Sequence, residues 1–202
     1  MPLVDEQIAK MLQRQRMKEQ KEKETEKRKQ EEAMIDEKEI MEGIRKGECT
    51  VIDQKFMFEE KMILGDRVKF YLPCKELQIV SNFREVFTAA ENKYGVGIHL
   101  ILSEDEKDNI QSWSVYKQNM QENLKKSQMK FKWIEEGCLM NGELKLQYLE
   151  FINPTGLGTL HNHMWMTETK YGRLAANLNY DHDTDKYWKP MIKAMMKIME
   201  IS

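Results

Sequence analysis

The feature that most constrains this chain is a run of four strand-length segments separated by turn residues: 131–140, 143–152, 157–167 and 172–180. The breaks between them are Asn141-Gly142, Asn153-Pro154 and Lys170-Tyr171-Gly172. Asn-Gly is the strongest short-range hairpin signal, because both residues tolerate the positive φ of a tight turn. Connections this short can join only antiparallel neighbours. The second half of the chain is therefore expected to hold an antiparallel meander.

Earlier segments extend the pattern. Residues 50–64 and 67–72 alternate in part and flank Gly65-Asp66, which predicts a hairpin closed by Pro73. Residues 77–90 read as loop and a short helix. Gly95 to Leu102 (GVGIHLIL) is apolar on both faces and so is expected to be a central strand. Glu104 to Lys126 reads as a helix, with Ile110, Trp113, Val115, Met120 and Leu124 as its apolar contacts. The last helix is expected from Tyr187 to Ile201, since Trp188, Met191, Ile192, Met195, Ile198 and Met199 follow helical spacing. Pro190 is expected in its first turn, where a missing N–H costs nothing. Met196 falls off this stripe and is expected to be exposed.

The N-terminal part is different. Lys18 to Glu32 offers no apolar side chain beyond the methyl of Thr25, so it cannot enter a core, yet its Lys, Glu, Gln and Arg residues favour helix. Pairs such as Glu19–Lys23 and Glu24–Arg28 each add about 0.2–0.5 kcal/mol. Val4, Ile8, Met11 and Leu12 share one face at its start, and Met34, Ile40, Met41 and Ile44 make a stripe at its end. The second stripe is suited to docking on the following domain. The first is suited to a groove on a partner. The helix is basic in residues 10–29 and acidic in 31–42, so two antiparallel copies would match charge, which allows a homodimer through this helix. Gly43 and Gly47 mark its end. The expected organisation is a charged N-terminal helix over 1–47 and an α+β domain over 48–202.

Composition excludes several classes. A net charge of -2 gives no basic face for nucleic acid. No apolar run is long enough to span a membrane, and the N-terminus has no secretory pattern. Cys49, Cys74 and Cys138 are widely spaced and odd in number, which fits inert thiols in a reducing compartment and a cytoplasmic protein.

Catalytic signatures are missing from the sequence. Gly95-Val96-Gly97 and Gly156-Leu157-Gly158 lack the third glycine or Gly-Lys-Ser/Thr of a phosphate loop, and there is no G-x-S-x-G elbow. Asp181-His182-Asp183-Thr184-Asp185 opens like a calcium loop, but Lys186 and Ile192 stand where glycine and glutamate are needed, so it reads as an acidic cap for the last helix. His161 and His163 fall on the same face of one strand. Two ligands are not a metal site, and no Asp, Glu or Cys lies at ligand spacing in that strand, so they are expected to be exposed on an open sheet face. His99 reads as a core or edge histidine. No catalytic residue, metal or cofactor is assigned.

The order of elements resembles the PsbP-like sandwich, including its DcrB-like branch, over about residues 50–202. The resemblance rests on the Leu72-Pro73 hairpin end, the strand–helix–meander order, the last strand Gly172-Arg173-Leu174-Ala175-Ala176-Asn177-Leu178-Asn179-Tyr180, and Trp188 leading the Met/Ile-rich helix. It implies an antiparallel sheet with helices packed against it and a non-enzymatic role: a protein-binding adaptor or chaperone-like module using a sheet face. The expected contact residues are His161, His163, Trp165 and Tyr171, with Val4, Ile8, Met11 and Leu12 on the N-terminal helix. The alternatives are a structural or assembly subunit docking through that helix, and a metal-dependent enzyme using His161 and His163.

Overall fold

The computed structural model describes residues 13, 36–91, 95–104 and 112–202. By internal contacts the chain divides into Met1–Asp36 and Glu37–Ser202. The charged stretch and the stripe of Val4, Ile8, Met11 and Leu12 lie outside the described residues.

Helix α1 (Glu37–Lys46) opens the second unit. Its Ile40 and Ile44, one turn apart, are both buried. Glutamates in its first turn and Arg45 and Lys46 in its last suit the helix dipole. Gly47, at φ +93°, ends it in the left-handed conformation that glycine adopts without a Cβ penalty. Its apolar stripe therefore docks on the α+β domain, and the compact unit takes in these ten residues.

Among the described residues eleven strands follow: β1 (Glu48–Val51), β2 (Gln54–Ile63), β3 (Val68–Pro73), β4 (Gln78–Asn82), β5 (Val86–Ala90), β6 (Gly97–Ser103), β7 (Lys132–Asn141), β8 (Leu144–Thr155), β9 (Gly158–Thr169), β10 (Gly172–Asp181) and β11 (Glu200–Ile201). Helix α2 (Trp113–Lys126) lies between β6 and β7, and α3 (Asp185–Ile198) between β10 and β11. A small sheet has the order β1-β2-β3-β11, and a larger one the order β4-β5-β6-β10-β9-β8-β7. All pairings are antiparallel. The fold class is α+β, and the four-strand meander β7 to β10 is present as expected.

Several local expectations are corrected. Residues 77–90 form the β4–β5 hairpin instead of loop and helix, because Phe87 and Ala89 bury fully on the sheet's inner face. Strand β6 alternates: Ile98, Leu100 and Leu102 are buried, while His99 and Ile101 are exposed. His99 instead pairs with the Thr88 hydroxyl at 2.9 Å on the outer face. Two turns move as well. The β7–β8 loop is Gly142-Glu143, with Asn141 still paired to Leu144, and β8 runs through Pro154 to Thr155. Asn141 turns its amide to the Met196 and Met199 carbonyls at 3.0 and 2.6 Å, closing the C-terminus of α3. Helix α3 starts two residues earlier than expected, so Pro190 lies beyond its first turn. It also ends at Ile198, because Glu200 and Ile201 leave to pair with Lys69 and Val68 on β3. Residues 105–111, including Ile110, lie outside the described part of the expected long helix. In α2 no side chain is fully buried.

The core lies between the inner face of the large sheet, the small sheet and α3. Phe56 and Trp188 meet edge-on with ring centres 5.8 Å apart, and Trp188 lies 6.3 Å from Tyr180. Gly172, at φ +120°, opens β10; a Cβ there would come 2.1 Å from the Ser103 carbonyl oxygen. If α1 is an integral part of this core, Ile44→Ala should cost about 2–5 kcal/mol of stability in urea denaturation, as for other buried Ile-to-Ala changes. An exposed, undocked helix would lose well under 1 kcal/mol.

Candidate functional site

The pairings Glu150↔His163, Ile152↔His161 and Tyr148↔Trp165, continued by His161↔Tyr180, put Tyr148, Glu150, His161, His163, Trp165 and Tyr180 on one face of the sheet. Across that face runs α3. Its residues Asp185, Lys189 and Lys193, spaced four apart, form a charged stripe beside the apolar one. The two polar surfaces meet in a buried ionic network.

Glu150, fully buried, is its centre. One carboxylate oxygen lies 3.2 Å from His161 Nε2 and 3.1 Å from Lys189 Nζ. The other lies 3.2 Å from His163 Nδ1 and 3.8 Å from Lys193 Nζ. Both lysines also reach Glu135 on β7, at 2.7 and 3.1 Å. The Tyr148 hydroxyl donates to Glu135 at 2.6 Å, and its ring stacks on His163 at 5.4 Å. Gly137, opposite Tyr148 on β7, makes room for that ring; a Cβ there would come 2.7 Å from the phenol oxygen. At the other end, His161 Nδ1 lies 3.1 Å from an Asp185 oxygen and 3.3 Å from His182 Nδ1. Tyr180 donates to the same Asp185 oxygen at 2.7 Å and stacks on His161.

The electrostatics follow from these contacts. Burial works to raise the Glu150 carboxyl, but the hydrogen bond with His161, the close approach of His163 and the charge of Lys189 outweigh it and hold it far below the usual range. Burial also opposes the charge on Glu135, yet Lys189, Tyr148 and Lys193 bring it down to about 2. Asp185 is lowered despite its burial, by His161 and Tyr180. His161 is raised because Asp185 and Glu150 overcome its burial, whereas burial dominates at His163 and lowers it. Three carboxylates thus face two ammonium groups, and that excess of negative charge favours a cation, a proton included, at His161. His163 Nδ1 and Glu150 Oε1 face each other at 3.2 Å without an aligned hydrogen bond.

The structure places the expected contact residues as follows. His161, His163 and Trp165 are brought together but are fully buried. The expectation that they form an open face is therefore corrected: α3 covers that face, with Met196 buried against His163 Nε2 at 3.2 Å. Tyr171 serves the fold, donating to the Ser202 carbonyl at 2.6 Å and stacking under Arg67. Sequence reasoning missed Glu150, Glu135, Lys189, Lys193 and His182. One signal was available: Glu150 is the lone charge within the apolar run Tyr148–Ile152. The acidic turn works partly as a cap, Asp181 accepting from the Asp183 N–H at 3.0 Å, but Asp185 reaches back into the network.

No family model and no curated protein matches the chain. Solved structures do. The cyanobacterial PsbP protein CyanoP of Synechocystis sp. PCC 6803 is similar at 13% identity and a TM-score of 0.56, over 76% of this chain and 97% of its own. The Saccharomyces cerevisiae Ran-binding protein Mog1p is similar at 9% identity and a TM-score of 0.49, over 72% and 96%. Protein PA94 of Pseudomonas aeruginosa is similar at 13% and 0.44, over 70% and 94%. The fold is the PsbP-like sandwich.

The network has a definite pH signature. Glu135 and Glu150 lie below their ordinary value of 4.5, so their stabilisation is full above that pH and is lost as the pH falls, toward about 2 for Glu135. His161, raised above 6.5, stabilises below that pH and loses its contribution as the pH rises through its folded value. His163, lowered, acts oppositely as the pH drops below 6.5. Glu150→Gln should cost about 3–5 kcal/mol at neutral pH by leaving Lys189 and Lys193 partly unpaired. It should also flatten the loss of stability between pH 5 and 2.5. An unchanged acid limb would show that this carboxylate does not carry the effect.

Proposed function

We propose that this PsbP-like sandwich is a non-enzymatic protein-binding module, an adaptor or chaperone-like subunit that takes an extended segment of a partner protein onto the edge of its large sheet. The observation that supports this reading is strand β4. It is an edge strand among the described residues, and it carries no charge and no proline (Gln78-Ile79-Val80-Ser81-Asn82). Ile79 is exposed, and Val80 and Phe83 are each 68% exposed. An edge that presents unpaired N–H and C=O groups beside apolar side chains is a template for an added strand.

The opposite edge is protected in the usual way. Strand β7 carries Lys132, Glu135 and Glu136, and Lys117 of α2 pairs with Glu136 at 2.7 Å. The β4 edge is also held in place. Asn82 accepts from the Leu64 N–H at 3.1 Å and donates to the Met62 carbonyl at 3.3 Å, tying the hairpin to the small sheet. A strand held in one geometry loses less entropy when a partner binds.

The stripe Val4, Ile8, Met11 and Leu12 is a second proposed contact, supported by its helical spacing, and pairing with another copy through that segment belongs to the same reading. A cytoplasmic location fits the three free cysteines. No described helix is long and apolar enough to cross a membrane.

The test is site-specific photo-crosslinking in cells with the full chain, using a photoreactive residue at Val80 and a control at Leu157 in the β8–β9 turn. The expected result is one defined protein adduct from position 80, absent from position 157 and lost when Phe83→Lys is added. Equal adducts at both positions, or none from a folded and abundant chain, would sink the edge-strand reading.

A further inference from the structure

The end of the buried network farthest from Glu135 has a property that the ion pairs do not use up. His161 comes from β9, His182 from the one-turn helix His182–Thr184, and Asp185 from the first turn of α3. The last two stand three residues apart on a continuous helical turn and so project on one side. One donor atom from each of the three residues lies within 4.8 Å of the others. Two of the separations are 3.1 Å (His161 Nδ1 to Asp185) and 3.3 Å (His161 Nδ1 to His182 Nδ1). Ligands at the 2.0–2.2 Å of zinc sites in tetrahedral array stand about 3.3 Å apart. The remaining separation can close by rotation of His182 or through the second Asp185 oxygen, since both residues are only half-buried.

We infer that His161, His182 and Asp185 form a binding site for a divalent first-row transition ion of the zinc type. Two imidazoles and one carboxylate are the donor set of such sites, and the nitrogen donors disfavour magnesium and calcium, which require oxygen. The surroundings are those of a built metal site. His161 presents Nδ1 to the ion while its Nε2 meets the buried Glu150 carboxylate at 3.2 Å, the carboxylate–histidine–metal arrangement that fixes the tautomer and the ring. The Tyr180 hydroxyl donates to Asp185 at 2.7 Å and orients the carboxylate. Lys189 and Lys193 are engaged by Glu135 and Glu150. The three carboxylates of the network outnumber its two ammonium groups, and a metal ion at His161 Nδ1 takes the place of a proton there. Three protein ligands leave a coordination position for water or for a donor from elsewhere.

This inference does not depend on the edge-strand reading. The pair expected from sequence, His161 with His163, is not the ligand pair: His163 points its Nδ1 to Glu150 and its Nε2 to Met196.

The experiment is titration of the metal-free full chain with Zn2+ by calorimetry against a competing chelator, with Co2+ absorption as a geometric readout. One zinc per chain is expected, together with the visible bands of four-coordinate cobalt. His182→Ala, at a half-buried position, is expected to keep the fold by circular dichroism and to weaken zinc at least 100-fold. Asp185→Asn should also lose the cobalt bands, and His99→Ala, on the opposite face of the sheet, should change nothing. No stoichiometric zinc in the folded wild-type chain would overturn the site. So would undiminished affinity in folded His182→Ala.

Discussion

Glu150 is a carboxylate with no exposed surface, and its surroundings are arranged to keep it charged. Taking such a group out of water costs several kcal/mol unless partners replace the lost hydration. Here they come from three directions: imidazoles from β9, ammonium groups from α3, and a second carboxylate on β7 that holds the same lysines from the far side. No single element could satisfy it. The position of α3 is thus specified by charge as well as by the apolar packing of Trp188, Met191, Ile192 and Met195. Apolar contact alone tolerates sliding, whereas ion pairs near 3 Å do not.

That arrangement decides which surfaces remain for a partner. With α3 pinned over the inner face, the residues that look most like a recognition surface, His161, His163 and Trp165, are interior. Among the described residues, the most exposed apolar side chains beside an unpaired sheet edge are those of Val80 on β4 and Phe83 at the hairpin tip. The same pinning brings His182 and Asp185, neighbours in the turn leading into α3, up to His161 on the strand. The proposed metal site is a by-product of that docking, and a bound ion would strengthen the junction between strand and helix.

Periodicity and turn chemistry make much of the fold legible. The β7–β10 meander, the β2–β3 hairpin, β6 and α3 can be read because alternation and 3.6-residue spacing are local properties of the chain. The Asn141-Gly142 signal marks a true hairpin, yet Asn141 also serves the distant Met196 and Met199 carbonyls, and the loop shifts by one residue. Strand β4 was not legible, because an exposed edge strand has no buried face and so no alternation to detect. Strand β11 was hidden because two residues that pair with β3 continue an apolar helical stripe without a break.

The sequence by itself determined the α+β class, the antiparallel meander, the amphipathic last helix and the resemblance to the PsbP-like sandwich, all of which rest on neighbours within a few residues. It also marked His161 and His163 as a pair on one strand face. Only the tertiary structure decided that they face inward, that Glu150 stands between them, and that His161 has His182 and Asp185 as its other neighbours. Those relations join β8, β9 and the entry to α3, residues 11 to 35 positions apart in sequence (150 to 161, and 150 to 185). Charge acts through space, and which charges meet is set by how the helix packs on the sheet.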